Sequence, residues 1–344
     1  MPFMKKLKSA IFLEIVCVCI LCGIIFERNT SRATLAEENG QDYIKWVDFN
    51  VSYEALCTAY QWDVDTYGTK HPVGWVELLA YQAAKNGDSF DKKAVKELSA
   101  VAKKLSEGET TIEELTKGLS HFAYYKEAYG AVLNGYVGEY EIESSPGSGV
   151  YEKAYGLKAY LPLAKGFPYS DYDDFGVSRS YGYRRQHLGH DMMGQIGTPV
   201  VAVESGYVEA MGWNQYGGWR LGIRSFDKQR YYYYAHLRQN YPFAEGLAEG
   251  SVVTAGDIVG YMGHTGYSAT ENVNNIDQVH LHFGIQLIFD ESQKEGNGEI
   301  WINPYNLVRF LRSNQSEASK TEGTKEWKRI RKLKDPAVME YERR

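Results

Sequence analysis

The histidines of the C-terminal half carry the chemistry that this sequence offers. The stretch His187-Leu-Gly-His-Asp191 presents metal-ligating side chains on a glycine-bearing, non-helical background. Read as a β-strand, it points His187, Gly189 and Asp191 to one face, because side chains alternate with period two. One imidazole and one carboxylate then aim at a common point, and the glycine between them leaves space. This is half of a zinc site, and it predicts a further histidine on a neighbouring strand.

Two later segments supply further histidines. His280-Leu-His282 places two imidazoles on one face of a strand, and Tyr234-Ala-His236 ends a very aromatic strand with another. Each histidine alone would be read as a structural residue. Together the segments place four histidines and one aspartate at strand positions in one part of the chain, which indicates a site rather than chance.

The remaining histidines are predicted to lie outside the ligand set. His190 faces away from Asp191 in the strand interpretation, so we expect a structural or supporting role for it. His264 occupies a Gly-His-Thr-Gly turn and is not predicted to be a ligand. His71 and His121 lie far apart without acidic companions and are interpreted as structural or surface residues.

Hydrophobic periodicity predicts the elements that must position these side chains. Residues 41–140 show helical spacing and predict a small α-helical domain of unknown role. Residues 141–180 are rich in glycine, proline, serine and tyrosine, so we expect a linker and a loop that borders the cleft. From residue 181 to 310 the period changes to two, which predicts a mostly antiparallel β domain and an α+β fold overall. Residues 311–344 are expected to be a charged C-terminal tail.

Three aspartates in the predicted linker are close enough in sequence to suggest a cation site. Asp171, Asp173 and Asp174 lack the spacing of a calcium-binding loop. They are therefore predicted to form a solvated turn.

The N-terminal segment, residues 1–40, predicts a cytoplasmic stub, a membrane anchor and a spacer. Three lysines within the first eight residues precede an apolar run from residue 10 to residue 26, interrupted only by Glu14. Such charges favour a cytoplasmic N-terminus, with the remainder outside. Cleavage signals are weak, so a single-pass anchor is favoured over secretion after signal cleavage.

Composition narrows the class of protein further. The 344 residues include 44% hydrophobic and 24% charged residues, as in ordinary globular proteins. A net charge of -6 argues against nucleic acid as a partner. Only Cys57 lies outside the N-terminal apolar run, so the bulk of the protein cannot form an intrachain disulfide.

The segments HLGHDMMGQIGTPVVAVESGYV, YYAHL, GYMGHTGYS and HLHFGIQ resemble, in order and spacing, the lysostaphin-type zinc metallopeptidases, the LytM-like peptidoglycan endopeptidases. The resemblance covers about residues 181–308. It implies that His187, Asp191 and His282 bind Zn²⁺ and that His236 and His280 are catalytic, without dividing the base and oxyanion-stabilising duties between them. It also implies a compact, mostly antiparallel β domain with an open groove for a peptide chain.

One departure from the family concerns a polar insertion at residues 269–279, ahead of His280. It is expected to alter substrate choice or cover the site, unless it is a disordered surface insertion. The sequence thus predicts a membrane-anchored, extracytoplasmic zinc endopeptidase that acts on peptidoglycan peptides, with a protein partner for the helical domain. The alternative is a non-catalytic scaffold or activator of other wall enzymes, which the intact ligand set disfavours.

Overall fold

The computed structural model of the protein describes residues 43–343. From Val47 onwards the described residues form one compact unit, and all the elements below lie in it. The apolar run predicted to anchor the chain, residues 10–26, lies outside the described residues. Between residues 43 and 343, no helix combines the length and the apolar character needed to cross a bilayer.

Helices fill the N-terminal third of this unit, as the periodicity predicts, and their ends carry the expected capping signals. Ser52 caps the first helix by accepting a hydrogen bond from the Ala55 N–H at 3.3 Å. Thr111 and Glu114 form a capping box at the start of the fourth helix. Gly87, in the left-handed conformation with φ of 63°, ends the second helix. The helices are α1 (Tyr53–Thr66), α2 (Trp75–Asn86), α3 (Lys92–Ser106), α4 (Ile112–Thr116) and α5 (Phe122–Leu133), followed much later by α6 (Tyr305–Leu311) and α7 (Pro336–Tyr341).

The rest of the unit is built of antiparallel strands. In chain order they are β1 (Val137–Glu143), β2 (Tyr151–Leu157), β3 (Ser178–Arg179), β4 (Arg185–Gln186), β5 (His190–Met193), β6 (Pro199–Val201), β7 (Gly206–Asn214), β8 (Gly218–Ser225), β9 (Arg230–Ala235), β10 (Val252–Val253), β11 (Ile258–Tyr261), β12 (His280–Leu287), β13 (Ile300–Ile302), β14 (Ala318–Lys320), β15 (Trp327–Arg329) and β16 (Leu333–Lys334). The predicted α+β class with mostly antiparallel sheets is confirmed for the described residues.

The largest sheet has the order β10-β7-β8-β9-β12-β13, and β5 also pairs with β12. Its two faces differ because side chains alternate along each strand. In β9, Tyr232 and Tyr234 are fully buried in the core. Tyr231 and Tyr233 point to the opposite face, where they line a groove. The abundance of tyrosine in this strand therefore serves both the core and the groove.

The helices are tied to this sheet by a buried ionic cluster. Arg230 donates to the Glu204 carboxylate through Nε at 2.7 Å and Nη2 at 3.0 Å, and to the Ala131 carbonyl of α5 through Nη1 at 2.6 Å. Tyr232 donates to the same carboxylate at 2.6 Å. A Cβ at Gly135 would lie only 1.5 Å from Glu204 Oε1, so glycine allows the close approach just beyond α5.

Residues 141–180 and the C-terminal tail are more regular than the sequence indicates. Strands β1 and β2 form a hairpin, and β16 from the tail adds to β1. The Gly, Pro and Ser cluster that was interpreted as a linker is the hairpin loop, in which Glu143 accepts a hydrogen bond from the Gly149 N–H at 2.9 Å. Leu333 of β16 is buried, so one apolar side chain fixes a tail that its charges alone would predict to be solvated. The domain boundaries themselves stay predictions.

Candidate active site

Two imidazole nitrogens and one carboxylate oxygen meet on the groove face of the large sheet. His187 Nε2 lies 2.9 Å from Asp191 Oδ1 and 2.8 Å from His282 Nδ1, and His282 Nδ1 lies 3.1 Å from Asp191 Oδ1. Among the described residues, this is the one group of His, Cys, Asp or Glu side chains whose ligand atoms all lie within 4.8 Å of one another. The structure thus brings together the three residues predicted to be metal ligands.

Backbone pairing fixes two of these residues, and a bend supplies the third. Asp191 on β5 and His282 on β12 are direct partners in the antiparallel ladder. His187 precedes β5, which begins at His190, so the prediction of one continuous strand through residues 187–191 is wrong. The bend requires Gly189, because a Cβ there would lie 2.6 Å from His282 Nε2. The space that the sequence predicts beside Gly189 is occupied by the His282 ring.

A buried aspartate orients the site from behind. Asp174 is 0% exposed, and its backbone carbonyl accepts a hydrogen bond from His187 Nδ1 at 3.0 Å. This bond leaves His187 Nε2 to face the centre. Arg179 Nη2 lies 2.9 Å from Asp174 Oδ2 and 2.9 Å from Asp191 Oδ2, so Asp191 Oδ1 is the oxygen directed to the centre. The prediction of a solvated turn is therefore wrong for Asp174, whereas Asp173 is exposed.

Asp174 and Arg179 are the supporting residues that sequence reasoning missed. The acidic run and the arginine are visible in the sequence, but no regular spacing connects them to the histidines. Their roles arise from a chain reversal, in which β3 pairs with β4 and returns residue 174 beside residue 187.

The charges of the site shift the pKa values of its members. Burial lowers the pKa of His187, but the carboxylates of Asp174 and Asp191 outweigh burial and raise it to about 9. Burial also dominates at His282 and lowers its pKa despite the hydrogen bond to Asp191. For Asp191, burial raises the pKa, whereas hydrogen bonds from His187 and His282 hold it far below its usual range. Asp191 is therefore an anion in this site.

His236 and His280 flank the three ligand atoms. Their ring centroids are 4.7 Å apart, and His280 Nε2 lies 3.7 Å from Asp191 Oδ1. His236 Nδ1 donates to the Thr265 carbonyl at 2.9 Å, and His280 Nδ1 donates to the Gln278 carbonyl at 2.8 Å. Because a carbonyl only accepts, each ring, in its neutral form, carries its lone pair on Nε2.

His236 is held in an unusual state. Burial, followed by the neighbouring His280 and His282, holds its pKa well below the ordinary value, so it is neutral at pH 7. Its backbone is in the left-handed region with φ of 61°, which is strained for a residue other than glycine. Hydrogen bonds from the His236 N–H to the Gly217 carbonyl and from the Gly263 N–H to the His236 carbonyl hold that conformation.

The other histidines lie outside the ligand group, as predicted. His190 Nε2 lies 2.9 Å from Asp171 Oδ2, and its ring packs 5.4 Å from that of Tyr305. His264 Nδ1 donates to the Ile276 carbonyl at 2.7 Å and so ties down the inserted loop. His71 and His121, in the helical part, belong to no group of ligand atoms among residues 43–343.

The insertion at residues 269–279 is an anchored wall of the groove. Asn272 Oδ1 accepts hydrogen bonds from Trp219 Nε1 at 2.9 Å and from the Asn240 N–H at 2.8 Å. At the other end of the insertion, Ile276 and Gln278 line the groove. The insertion is thus held by hydrogen bonds beside the groove rather than being a disordered surface loop, and its predicted effect on substrate choice stays a prediction.

The groove is large enough for a peptide. Its volume is about 960 Å³, and it contains the ligand atoms and both flanking histidines. The walls combine aromatic rings with charged side chains. They include Tyr172, Tyr216, Tyr231, Tyr233, Tyr267, Trp301, Arg179, Arg185, Arg220 and Lys294.

The donor set fits a zinc ion. Tetrahedral zinc, with nitrogen and oxygen ligands at about 2.0–2.2 Å, separates its ligand atoms by about 3.3 Å. The observed separations of 2.8, 2.9 and 3.1 Å need to open by only about 0.2–0.5 Å to reach that value. Each of His187 and Asp191 also has its second polar atom engaged by a neighbour, as is typical of metal ligands.

Residues 185–296 match the model of Peptidase family M23. This part of the chain is therefore a peptidase M23 domain, and the resemblance to the lysostaphin-type peptidases is confirmed.

Curated relatives share this domain. The chain is 35% identical over 161 residues to an L-Ala--D-Glu endopeptidase of Bacillus subtilis, covering 46% of each chain. It is 34% identical over 120 residues to lysostaphin of Staphylococcus simulans, covering 35% of this chain and 20% of that protein. The chain thus spans less than half the length of these relatives.

One solved structure matches beyond the peptidase domain. It is a crystal structure from Ruminococcus gnavus of a protein described as a candidate glycyl-glycine endopeptidase LytM. The match covers 79% of this chain and 91% of that one, with 24% identity and a TM-score of 0.51. At this identity the likeness shows the fold alone.

Proposed function

We propose that this chain is a zinc-dependent endopeptidase that hydrolyses peptide bonds in bacterial cell-wall peptidoglycan. The observation that carries the proposal is the cluster of His187, Asp191 and His282, with His236 and His280 beside it in one groove. The peptidase M23 domain supports it, as do the names of the relatives, which are endopeptidases.

His187, Asp191 and His282 would hold the zinc ion, since two imidazoles and one carboxylate are a known catalytic ligand set. When bound, zinc supplies Lewis-acid polarisation of a carbonyl and lowers the pKa of water toward neutrality. Asp174 and Arg179 keep the ligand atoms directed to the centre, because they bind the other polar atoms of His187 and Asp191. Their contribution is orientation of the ligands.

His236 and His280 would carry the proton transfers. Each ring is fixed by a hydrogen bond from Nδ1 to a backbone carbonyl, so Nε2 can accept a proton. A ring that has accepted a proton on Nε2 can then stabilise negative charge that develops on the substrate carbonyl. The low pKa of His236 keeps it unprotonated before the reaction begins.

The catalytic proposal is tested with the full-length chain and purified wall material. New amino termini should appear with the wild-type chain and should be lost in His282→Ala. Zinc bound per chain is measured on the same preparations, and His190→Gln serves as a matched control outside the ligand group. If wild type and His282→Ala release the same amino termini, the enzyme proposal fails. A chain without such activity that stimulates another wall enzyme would instead support the scaffold alternative.

Two synthetic peptides narrow the bond that is cut. One contains an L-Ala–D-Glu bond and the other a run of glycine, following the names of the Bacillus subtilis relative and of the solved Ruminococcus gnavus structure. Mass analysis of the products identifies the cleaved bond. Cleavage of neither peptide, together with no release from wall material, would contradict the proposed substrate class.

We also propose that residues 10–26 anchor the chain in the membrane, with the remainder outside the cytoplasm. The lysines before the apolar run support this orientation. In cells that express the tagged full chain, the protein should sediment with membranes and resist alkaline extraction. A chain recovered in the medium with a new N-terminus after residue 28 would contradict the anchor and support a cleaved signal.

A further inference from the structure

One cationic side chain of the groove, Arg220, makes neither an ion pair nor a hydrogen bond with the described residues. Arg220 lies on β8 and lines the groove. Within the part of the chain that the structure describes, its guanidinium makes no ion pair or hydrogen bond. A guanidinium has five N–H donors, and a partly buried one gains most from an anionic partner.

The other cations of the groove are already engaged. Arg179 binds two carboxylates behind the ligand atoms. Lys294 Nζ lies 2.6 Å from Glu209 Oε1. Arg185 Nη2 donates to Tyr267 Oη at 3.0 Å, and its guanidinium lies over that ring at 5.3 Å. Among the groove cations of residues 43–343, Arg220 therefore has all of its N–H donors available for a ligand, whereas Arg185 already donates to neutral oxygens.

Strand pairing gives the backbone separation between Arg220 and His282. His282 on β12 pairs with Ala235 on β9, and the pair Leu221 and Tyr234 joins β9 to β8. Continuing that ladder by one residue sets Arg220 opposite Ala235, on the same face as His282. Two strand spacings separate them, which corresponds to about 10 Å.

Two tyrosine side chains of β9 extend along this face of the sheet toward glycine positions. A Cβ at Gly217 would lie 2.2 Å from Tyr233 Oη, and one at Gly222 would lie 1.9 Å from Tyr231 Oη. Both tyrosine rings therefore lie down on the sheet over glycine. An extended peptide of about three residues, at about 3.3 Å each, covers the distance from His282 to Arg220.

Building on the proposed function, we propose that Arg220 forms a carboxylate-binding subsite, so that the enzyme prefers peptides with a free carboxyl within about three residues of the cleaved bond. Guanidinium and carboxylate match in shape and charge, and such pairs form strong bidentate hydrogen bonds. A glycine bridge offers no such group. A glutamate residue inside a peptide keeps one of its two carboxyl groups free, so an acidic wall peptide fits the subsite.

The test uses two forms of the L-Ala–D-Glu peptide that differ in one group, the free carboxyl of D-Glu or its carboxamide. The wild-type chain should cleave the carboxylate form with a kcat/KM at least about tenfold higher, mainly through KM. Arg220→Gln should lose this preference. Arg184→Gln, an exposed arginine that does not line the groove, should keep it. Retained preference in Arg220→Gln would overturn the subsite.

Binding of the same labelled peptides to the metal-free proteins, followed by fluorescence anisotropy, separates the subsite from the proposed activity. Tighter binding of the carboxylate form to wild type than to Arg220→Gln supports the subsite even if neither peptide is cleaved. Absence of cleavage by the wild type would then count against the proposed function alone. Equal dissociation constants for both peptides on the wild type would overturn the subsite.

Discussion

Substitution of Gly189 by alanine tests the geometry of the metal centre directly. A Cβ at this position would lie 2.6 Å from both Cε1 and Nε2 of His282 and 2.9 Å from the Phe283 carbonyl oxygen. The φ of Gly189 is not in the left-handed region, so alanine can adopt this backbone conformation. Its difficulty is the steric clash of its Cβ. The carbonyl belongs to β12 and cannot easily move, so the His282 ring must give way.

The size of the effect follows from these contacts. Relief from 2.6 Å to an ordinary contact of 3.4 Å displaces the ring by about 0.8 Å. Zinc–ligand distances hold to within about 0.2 Å, so the displaced ring no longer binds zinc well. We expect zinc affinity to fall by about 100-fold or more, equivalent to about 2.7 kcal/mol. At saturating zinc, kcat/KM should fall by a similar factor, because a misplacement of about 1 Å can cost about 100-fold.

Zinc affinity is measured by competition with a chromophoric chelator, and kcat/KM is measured on the cleaved wall peptide. Gly138→Ala is the matched control, because its nearest contact is the flexible Lys158 Cε at 3.6 Å, far from the site in sequence. Circular dichroism checks that both variants fold. Zinc affinity and kcat/KM of Gly189→Ala within about threefold of wild type would refute the reasoning, since the centre would then tolerate a displaced ligand.

Three further substitutions probe the surroundings of the site. Asp174→Asn keeps the shape of the side chain but removes its charge beside His187. Zinc binding should weaken by about 10-fold to 100-fold in the same chelator assay. Unchanged affinity would show that the charge is dispensable. Arg230→Met leaves the Glu204 carboxylate buried and without its ion pair. Urea denaturation should therefore show that the free energy of unfolding falls by about 3–5 kcal/mol. A decrease of less than about 1 kcal/mol would contradict this expectation. Asn272→Ala removes the side-chain hydrogen bonds from the inserted loop to Trp219 and Asn240, and it should lower kcat/KM several-fold at unchanged zinc content. Loss of zinc would show that the loop supports the ligands instead.

The ligand set was predictable from the sequence, although part of the reasoning was wrong. Alternation along a strand selects His187 with Asp191 and rejects His190, and the structure brings His187 and Asp191 together. His187 nevertheless lies before β5, and a bend at Gly189 rather than strand alternation turns its ring to the centre. Both descriptions select His187 and Asp191, because both concern the same five residues, 187–191. The types and order of the residues were sufficient to predict which side chains form the ligand set. The path of the backbone between His187 and Asp191 could be seen only in the structure.

The supporting residues could not be predicted in the same way. Asp174 reaches His187 across 13 residues, and Arg230 reaches Ala131 across 99. Neither contact follows a helical or strand period, so local pattern carries no signal for it. An acidic run in a loop usually is solvated, and only the burial of Asp174 under the returning chain changes that outcome. Burial of a charged side chain such as Asp174 can be predicted only when the groups that pair with it are known.

The inserted loop illustrates how a departure from a family pattern can serve the site. Its polar composition favours a solvated loop, yet its asparagines bind Trp219, the Asn240 backbone and the Tyr267 carbonyl. Gln278, at the end of the insertion, supplies the carbonyl that fixes the His280 ring. Since His280 begins β12 directly afterwards, a mobile insertion would leave the ring free to change tautomer. The anchoring of the loop and the orientation of His280 are thus one requirement, which is why Asn272→Ala is expected to act on catalysis rather than on metal binding.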